Sequence, residues 1–268
     1  MFINITLIAF LFIIFICWGS FLNSFAYRLI NQKSLFTKRS YCPSCNENIK
    51  FYDLIPIISW IILRAKCRNC KAKISVLYPL IEILTGFVFI YVFLYIDIIY
   101  WPLYFIFFSS LIVTIRTDFQ NMLISRYVTT FLVPIIFLLS YFSLSEISFL
   151  DSIISTFASY FLLFFLSKLF YLLRNKQGLG EGDIELLAFI GSVLSFNGAL
   201  FSLFLGSLIG TIIAIFLTLK NLLLNYNNFK LDFILNYKIP FGPFLAFGAI
   251  VYSILNHLQL SLFHYFDL

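Results

Sequence analysis

Long apolar runs recur along nearly the whole chain and leave few ways for it to fold in water. A membrane-crossing helix needs about 20 mostly apolar residues, and 62% of the 268 residues are hydrophobic while only 11% are charged. The runs predict an all-α polytopic membrane protein with about eight transmembrane helices and one small polar loop domain. The predicted spans are residues 2–26, 77–96, 98–115, 127–143, 150–173, 184–197, 199–219 and 241–262. The sixth is short for a complete crossing.

The basic residues indicate which helix ends share a side of the membrane. Ten of the 18 Lys and Arg residues lie in residues 28–76, and the others fall in alternate connections or at the same end of a helix. By the positive-inside rule, this side is cytoplasmic. We therefore predict three parts: a first transmembrane helix at 1–27, a cytoplasmic loop domain at 28–76, and a transmembrane domain at 77–268 that contains Asp118 and Asp183.

The net charge of +6 follows from this topology. Residues 28–76 contain ten basic and two acidic residues, so the rest of the chain has a net charge of −2. The excess positive charge is therefore expected to favour anionic membrane lipid on the inner side. We predict no nucleic-acid partner, because the charge is explained by orientation in the membrane.

Four of the five cysteines form two C-x-x-C pairs in the polar loop. Cys42 and Cys45 make one pair, Cys67 and Cys70 make the other, and 21 residues separate them. Two such pairs supply four thiolates to a tetrahedral zinc ion, and a loop of this size gains stability from a metal. Cytosolic placement disfavours structural disulfides. We predict structural zinc, with a redox pair or metal-free thiols as the alternative.

Two aspartates stand at the ends of apolar segments on the predicted cytoplasmic side. Asp118 ends one segment, and Asp183 closes a glycine-rich turn before another. An ionisable residue in such a position indicates a functional site. Gly180 and Gly182 are expected to let the backbone approach a substrate strand closely and to tolerate positive φ. The alternative is that Asp183 only caps its helix by accepting backbone N–H bonds.

Other hydrolase mechanisms lack the residues they need. The two histidines, His257 and His264, lie near the opposite end of the last span, which excludes a serine–histidine or cysteine–histidine site with these acids. The chain also has no H-E-x-x-H and no G-x-S-x-G motif. Two neighbouring carboxylates that share one proton would hydrolyse a peptide bond by activating water and protonating the leaving amine. The sequence does not assign these two roles.

Several further motifs carry a resemblance to a known family. In chain order they are Gly19-Ser20-Phe21-Leu22-Asn23, Arg39-Ser40-Tyr41-Cys42-Pro43-Ser44-Cys45, Ile55-Pro56-Ile57-Ile58-Ser59-Trp60, Tyr78-Pro79-Leu80-Ile81-Glu82, Gly180-Glu181-Gly182-Asp183 and Pro240-Phe241-Gly242-Pro243-Phe244. Together they resemble the type IV prepilin peptidases, also called leader peptidase/N-methyltransferases, which are GxGD-type membrane aspartyl proteases. The resemblance covers nearly the whole chain.

The resemblance implies an activity and its site. Members of the family remove the basic leader of prepilins or pseudopilins at the cytoplasmic face of the bacterial inner membrane. Many then methylate the new N-terminus with S-adenosylmethionine. By resemblance, Asp118 and Asp183 are the catalytic pair and the four loop cysteines bind zinc. Glu82 lies about one turn into the second span, where it would orient a substrate amine or cofactor, unless it only makes an interior hydrogen bond or salt bridge.

Three positions depart from the family pattern. Ser125 stands where proline is usual, which is expected to loosen the start of the fourth span. Glu185 replaces a lysine, and its charge is expected to raise the proton affinity of the aspartate pair if exposed to it. Ala65 replaces a glycine in the loop linked to methyl transfer. A peptidase without methyltransferase activity therefore stays open as an alternative.

Two other classes of protein compete with the peptidase. One is a catalytically degenerate relative that binds or assembles pilus or secretion machinery, which the changes at Ser125 and Glu185 would favour. The other is a proton-coupled transporter that uses the same two acids. The transporter is weaker, because transporter sites lie near the middle of the membrane and these acids lie at one face.

Overall fold

The computed structural model describes residues 5–34, 40–175, 178–224 and 239–266, and most of them are helical. Contacts divide the chain into two compact units, residues 1–117 and 118–268. The predicted division at residues 27 and 76 separates membrane-spanning from polar parts, and it stays a prediction. Each unit is described by itself below.

The first unit contains α1 (Ile5–Ile30), α2 (Ile58–Ile62), α3 (Leu77–Tyr95) and most of α4 (Trp101–Asn121), which runs on into the second unit. Small residues let α1 and α3 approach closely, as is common where helices meet in a membrane. A Cβ atom on Gly19 would come within 2.8 Å of the Thr85 hydroxyl oxygen, and one on Gly86 would meet the Phe12 ring.

A buried cation fixes α4 in the first unit. Arg116 is almost fully buried, and its Nε donates to Oδ1 of Asn23 on α1 at 3.1 Å. Its guanidinium also lies over the Tyr78 ring, 4.8 Å from the ring centre. Asn23 in turn donates from Nδ2 to the carbonyl of Tyr78. These contacts compensate a charge that would be costly to bury alone.

The second unit contains α5 (Val133–Tyr141), α6 (Phe149–Arg174), α7 (Glu181–Leu224) and α8 (Gly242–Phe266). Two short 3₁₀ turns, Arg126–Val128 and Thr130–Leu132, precede α5. α7 contacts both α6 and α8 through small residues. A Cβ on Gly191 would meet the Ser159 hydroxyl oxygen on α6, and one on Gly248 would lie 2.8 Å from the Ser202 backbone.

α7 is two helices that meet at a corner. Ser195 has φ 66° and ψ 175°, which no helix allows. A Cβ on Gly198 would lie 2.5 Å from the Cβ of Leu194, whereas residues four apart in a continuous helix hold their Cβ atoms about 5–6 Å apart. The chain therefore bends sharply here, close to the boundary predicted between the sixth and seventh spans.

The predicted all-α membrane fold is confirmed. Within the described residues, five helices are long and apolar enough to cross a membrane, and two shorter apolar ones cover Arg126–Tyr141 and Gly242–Leu258. With the longest helix divided at Ser195, each of the eight predicted spans has a helical counterpart. The fourth differs most, because its first residues form 3₁₀ turns before α5 begins at Val133.

The last helix is tied to the connection between α5 and α6 by a histidine. Nε2 of His257 lies 2.8 Å from Oε1 of Glu146, and Nδ1 lies 2.8 Å from the carbonyl oxygen of Ser253. Both ring nitrogens of His257 therefore have structural partners. The side chain of His264 lies outside the described residues.

Candidate active site and metal centre

Asp118 lies at the end of α4 with its side chain turned into the second unit. The residue is 4% exposed, and its Oδ2 accepts the backbone N–H of Gly242 at 3.0 Å. Gly242 is the first residue of α8, so its N–H has no partner within that helix. A Cβ on Gly242 would lie 2.8 Å from the same oxygen, and only glycine permits this approach.

Asp183 lies in the first turn of α7, at the mouth of that helix. Its Oδ2 accepts the backbone N–H of Gly180 at 3.3 Å, while its own N–H donates to the Gly180 carbonyl at 3.2 Å. This reciprocal pair resembles a helix cap. Asp183 is half-buried, and the cap occupies only one of its two carboxylate oxygens.

The tolerance of Gly180 and Gly182 for positive φ is not used in this structure. Both residues are described, and neither has a positive φ. The reason for glycine at 182 is instead a close contact, since a Cβ there would lie 2.9 Å from the Cβ of Ile124. The turn before α7 is thus shaped by packing rather than by left-handed backbone.

Ile124 brings the two helix starts together. It packs against Gly182 at the start of α7, and its Cδ1 would lie 2.9 Å from a Cβ on Gly242 at the start of α8. The carboxylates of Asp118 and Asp183 lie within electrostatic range of each other. Sequence reasoning paired the two acids but missed Ile124 and the Gly242 N–H. The only sequence signal for the second was a glycine between Phe241 and Pro243.

Glu185 is part of an ion-pair network beside Asp183. Arg126 donates from Nε to Oε1 of Glu185 at 2.8 Å and from a terminal nitrogen to Glu181 at 3.1 Å. The Thr130 hydroxyl donates to the other oxygen of Glu185 at 2.9 Å. Because Arg126 compensates its charge, Glu185 does not act on the aspartates as the lone negative charge that the sequence suggested.

Glu82 makes the interior hydrogen bond that was its alternative interpretation. It is 5% exposed, and its Oε2 accepts the backbone N–H of Ile57 at 2.8 Å. Ser20 on α1 gives it a second, side-chain hydrogen bond. Ile57 has φ 61°, an unusual conformation for a β-branched residue. Glu82 therefore holds a strained residue of the polar loop against α3.

The four loop cysteines converge as predicted. The sulfur atoms of Cys42, Cys45, Cys67 and Cys70 all lie within 4.8 Å of one another, and Cys42 Sγ is 3.8 Å from Cys70 Sγ. Four thiolates at about 2.3 Å from a tetrahedral zinc ion have sulfurs about 3.8 Å apart. The cluster therefore fits a metal ion of this size.

The two cysteine pairs have the same backbone design. The N–H of Cys42 donates to Glu47 and the N–H of Cys67 donates to Ala72, five residues on in each case. The equivalent residues Asn46 and Lys71 both have positive φ. Burial raises the pKa of the Cys42 thiol, but hydrogen bonds from the backbone N–H groups of Cys45 and Ser44 outweigh it, and the pKa falls to about 7.

An ion pair supports the second cysteine pair. Arg68 donates to both oxygens of Asp53, from Nε at 2.9 Å and from a terminal nitrogen at 2.7 Å. These hydrogen bonds hold the pKa of Asp53 below its ordinary value. The stability they add is present above the pKa of Asp53 in the unfolded chain and is lost as the pH falls through its folded value.

Ala65, where glycine was the expected residue, has a left-handed backbone. Its φ is 57°, and the φ of the preceding Arg64 is 51°. A left-handed conformation costs an L-residue roughly 1–2 kcal/mol, whereas glycine adopts it readily. The departure at this position therefore stores backbone strain just before Cys67.

Comparisons with known proteins match both parts of the chain. Residues 13–96 match the family model described as the bacterial peptidase A24 N-terminal domain, and residues 105–215 match the type IV leader peptidase family. The first match includes the four clustered cysteines, and the second includes Asp118 and Asp183. No solved protein structure matches the chain at a significant level.

Individual relatives cover most of the chain. A prepilin leader peptidase/N-methyltransferase of Aeromonas hydrophila is 34% identical over 219 residues, which is 81% of this chain and 71% of the relative. A protein of the same name from Neisseria gonorrhoeae is 32% identical and covers 68% of this chain and 64% of the relative. Another from Vibrio cholerae is 30% identical and covers 72% and 80%.

Exchanging the charges of Arg126 and Glu185 tests their pairing. We expect Arg126→Glu and Glu185→Lys each to lower the melting temperature of the detergent-purified protein, because each leaves like charges together. The double variant is expected to recover much of the loss, with a coupling energy of about 1 kcal/mol. Glu181→Lys is the control, because Glu181 is 87% exposed and its contact with Arg126 is expected to contribute little. Additive losses in the double variant would contradict the pairing.

Replacing Ala65 with glycine should stabilise the polar loop. Because Ala65 is held at φ 57°, we expect Ala65→Gly to stabilise the loop by about 1 kcal/mol. Two measurements compare the variant with the unmodified protein. One is the chelator concentration that removes bound metal, and the other is the temperature of thermal unfolding. Ala72→Gly is the control, because Ala72 has no positive φ, and it should be neutral or destabilising. A lower stability of Ala65→Gly would show that the left-handed backbone is not strained.

Proposed function

Because the chain belongs to the type IV leader peptidase family, we propose that it is a membrane aspartyl endopeptidase that removes the basic leader of prepilins or pseudopilins. The observation that carries the proposal is the placement of the Asp118 and Asp183 carboxylates within electrostatic range, at the ends of helices that meet around Ile124. The names of the relatives support prepilin proteolysis, and the site supports a carboxylate pair rather than a serine or cysteine nucleophile.

Each aspartate keeps one carboxylate oxygen for chemistry. Oδ2 of Asp118 is taken by the Gly242 N–H and Oδ2 of Asp183 by the Gly180 N–H, while among the described residues neither Oδ1 has a hydrogen-bond partner. The backbone donors fix the orientation of each carboxylate without a side chain that competes for the proton. The two Oδ1 atoms are therefore the ones available to water and to a substrate carbonyl.

The mechanism follows from a proton shared by the pair. Two interacting carboxylates hold one proton between them, so one is ionised and the other protonated. The ionised member takes a proton from the water that attacks the scissile carbonyl. The protonated member donates a hydrogen bond to the carbonyl oxygen and then helps to protonate the leaving amine. The products are the free leader and a mature pilin with a new N-terminal amine.

The distribution of Lys and Arg supports a site on the cytoplasmic side of the bacterial inner membrane. The residues flanking both acids include Arg116, Arg126 and Arg174, and the cysteine-containing loop is strongly basic. The positive-inside rule places these connections together on the cytoplasmic side. The basic leader of a prepilin would lie on that side too, with its apolar helix in the bilayer and the scissile bond at the level of the acids.

The four clustered cysteines are proposed to hold structural zinc. Their spacing along the chain and the distances between their sulfurs suit a tetrahedral ion. Zinc would supply folding stability to a loop with little apolar core of its own. The proposed role of this metal is structural, and the proposed hydrolysis is assigned to the two carboxylates alone.

Methylation of the new N-terminus with S-adenosylmethionine is the second proposed activity. It is supported by the names of the relatives, which combine leader peptidase and N-methyltransferase. The described residues include no set assigned to the methyl donor, and Glu82 is engaged with Ile57 and Ser20. The mass of a mature substrate tests this activity directly, because a methylated product is one methyl group heavier.

Loss of either aspartate should abolish cleavage. We expect Asp118→Asn and Asp183→Asn to lower the rate of prepilin cleavage by about 100- to 10,000-fold, because an amide neither takes up nor releases the proton. The measurement is mass spectrometry of a prepilin incubated with the purified protein in lipid. Asp151→Asn, which removes an acid at the start of α6, is the control and should cleave normally. An uncut prepilin with the unmodified protein would retire the peptidase proposal.

Loss of the clustered cysteines should remove zinc. We expect the purified protein to contain one zinc ion per chain, and Cys42→Ser and Cys67→Ser to lose it and to unfold at lower temperature. Elemental analysis and thermal unfolding measure both effects. Cys17→Ser is the matched control, since Cys17 lies in α1 outside the cluster. A full zinc load in a variant lacking both Cys42 and Cys67 would contradict the assignment.

A further inference from the structure

The short helix in the polar loop exposes its apolar side and buries its polar one. On α2 and the turn before it, Ile61 is 61%, Ile62 is 69% and Phe51 is 76% exposed, whereas Ser59 is 7% exposed. In a water-soluble domain the apolar side of a helix faces the core. A contiguous exposed apolar surface marks contact with a membrane or a partner.

Hydrogen bonds on the polar side fix this orientation. The Ser59 hydroxyl donates to the carbonyl of Tyr52 at 3.0 Å, and Nε1 of Trp60 donates to the carbonyl of Ile74 at 3.3 Å. The ion pair of Arg68 with Asp53 holds the turn that precedes α2. These hydrogen bonds and this ion pair therefore hold Ile61 and Ile62 in their exposed positions.

The residues just before α2 also lie beside the first turns of α3, a membrane-spanning helix. Ile57, just before α2, donates its N–H to Glu82, which is five residues into α3. At about 1.5 Å per residue, Glu82 is roughly 7.5 Å from the first residue of that helix. The 19 residues of α3 span about 28 Å, close to the ~30 Å of the hydrocarbon core. Ile57 is therefore held roughly 7.5 Å from the start of α3, within the ~5–10 Å to which interfacial segments bury their apolar face.

Basic residues border the apolar surface. Lys50 precedes it, Arg64 and Lys66 follow it, and all three are exposed. An apolar face bordered by Lys and Arg is typical of segments that lie in a membrane interface, because the cations meet anionic headgroups while the apolar side chains enter the leaflet.

We propose that residues 51–62 form an interfacial membrane anchor. Ile58, Ile61 and Ile62 lie among the acyl chains of the leaflet that α1 and α3 enter from this side, and Lys50, Arg64 and Lys66 contact anionic lipid headgroups. The anchor holds the metal-binding loop against the membrane surface. It depends on the membrane fold of the first unit and does not depend on peptidase activity.

Photo-crosslinking in proteoliposomes tests the anchor. A benzophenone amino acid is placed at Ile61 in the full-length protein, in vesicles of phosphatidylcholine and phosphatidylglycerol. Phe87 on α3, 64% exposed, is the membrane-facing control, and Asn69, exposed between Cys67 and Cys70, is the aqueous control. We expect lipid adducts at Ile61 comparable to those at Phe87 and several-fold above those at Asn69, measured by mass spectrometry. Unchanged metal content verifies that each labelled protein is folded.

Two results would overturn the proposal. One is a yield of lipid adduct at Ile61 no greater than at Asn69 while Phe87 is labelled. The other is crosslinking of Ile61 mainly to protein, which would make the surface a docking site for a second copy or another protein.

The headgroup contact has its own test. Phosphatidylglycerol should be enriched over its bulk fraction among the adducts at Ile61. The enrichment should fall when Lys50, Arg64 and Lys66 are changed to Gln. An unenriched adduct pool in the unmodified protein would overturn the contact with anionic lipid.

Discussion

Close approach of helix starts, permitted by glycine, is the constraint on which the candidate site depends. Apolar surface gives helices little reason to associate within lipid, so contact relies on small residues and hydrogen bonds. Here Gly242 brings a backbone N–H to Asp118, and Gly182 brings the start of α7 against Ile124. Any side chain at either position would push its helix start away and separate the two acids.

The electrostatic environment of Asp118 and Asp183 differs from the one that the individual residues in the sequence predicted. Glu185 by itself would add negative charge beside Asp183, but Arg126 and Thr130 engage both of its oxygens. The same network ties the segment after Ile124 to α7. This pairing weakens the case for a degenerate binding protein, since the negative charge at Glu185 is compensated by Arg126. Glu82 is a second acid whose charge is used in a structural contact, because its carboxylate supports the backbone of the polar loop.

The sequence predicted the features that depend on apolar length or on the spacing of residues along the chain. Apolar length identifies the spans because each crossing segment must satisfy its own backbone hydrogen bonds. The spacing of Cys42, Cys45, Cys67 and Cys70 predicted the cysteine cluster because two tight turns aim four sulfurs at one point. The contact of Gly242 with Asp118 joins residues 124 positions apart, and no periodicity reveals it. The left-handed backbone at Ala65 was hidden because alanine gives no sign of positive φ.

The corner at Ser195 has a consequence for the lipid around the acids. The arm of α7 from Glu181 to Leu194 is about 21 Å long at about 1.5 Å per residue, against a hydrocarbon thickness of about 30 Å. Such hydrophobic mismatch is relieved by local thinning of the bilayer or by snorkelling of the flanking residues. Either response would leave Asp183, in the first turn of this arm, close to the polar boundary of the bilayer. A helix too short for its membrane would thus keep the acids within reach of the water that hydrolysis consumes.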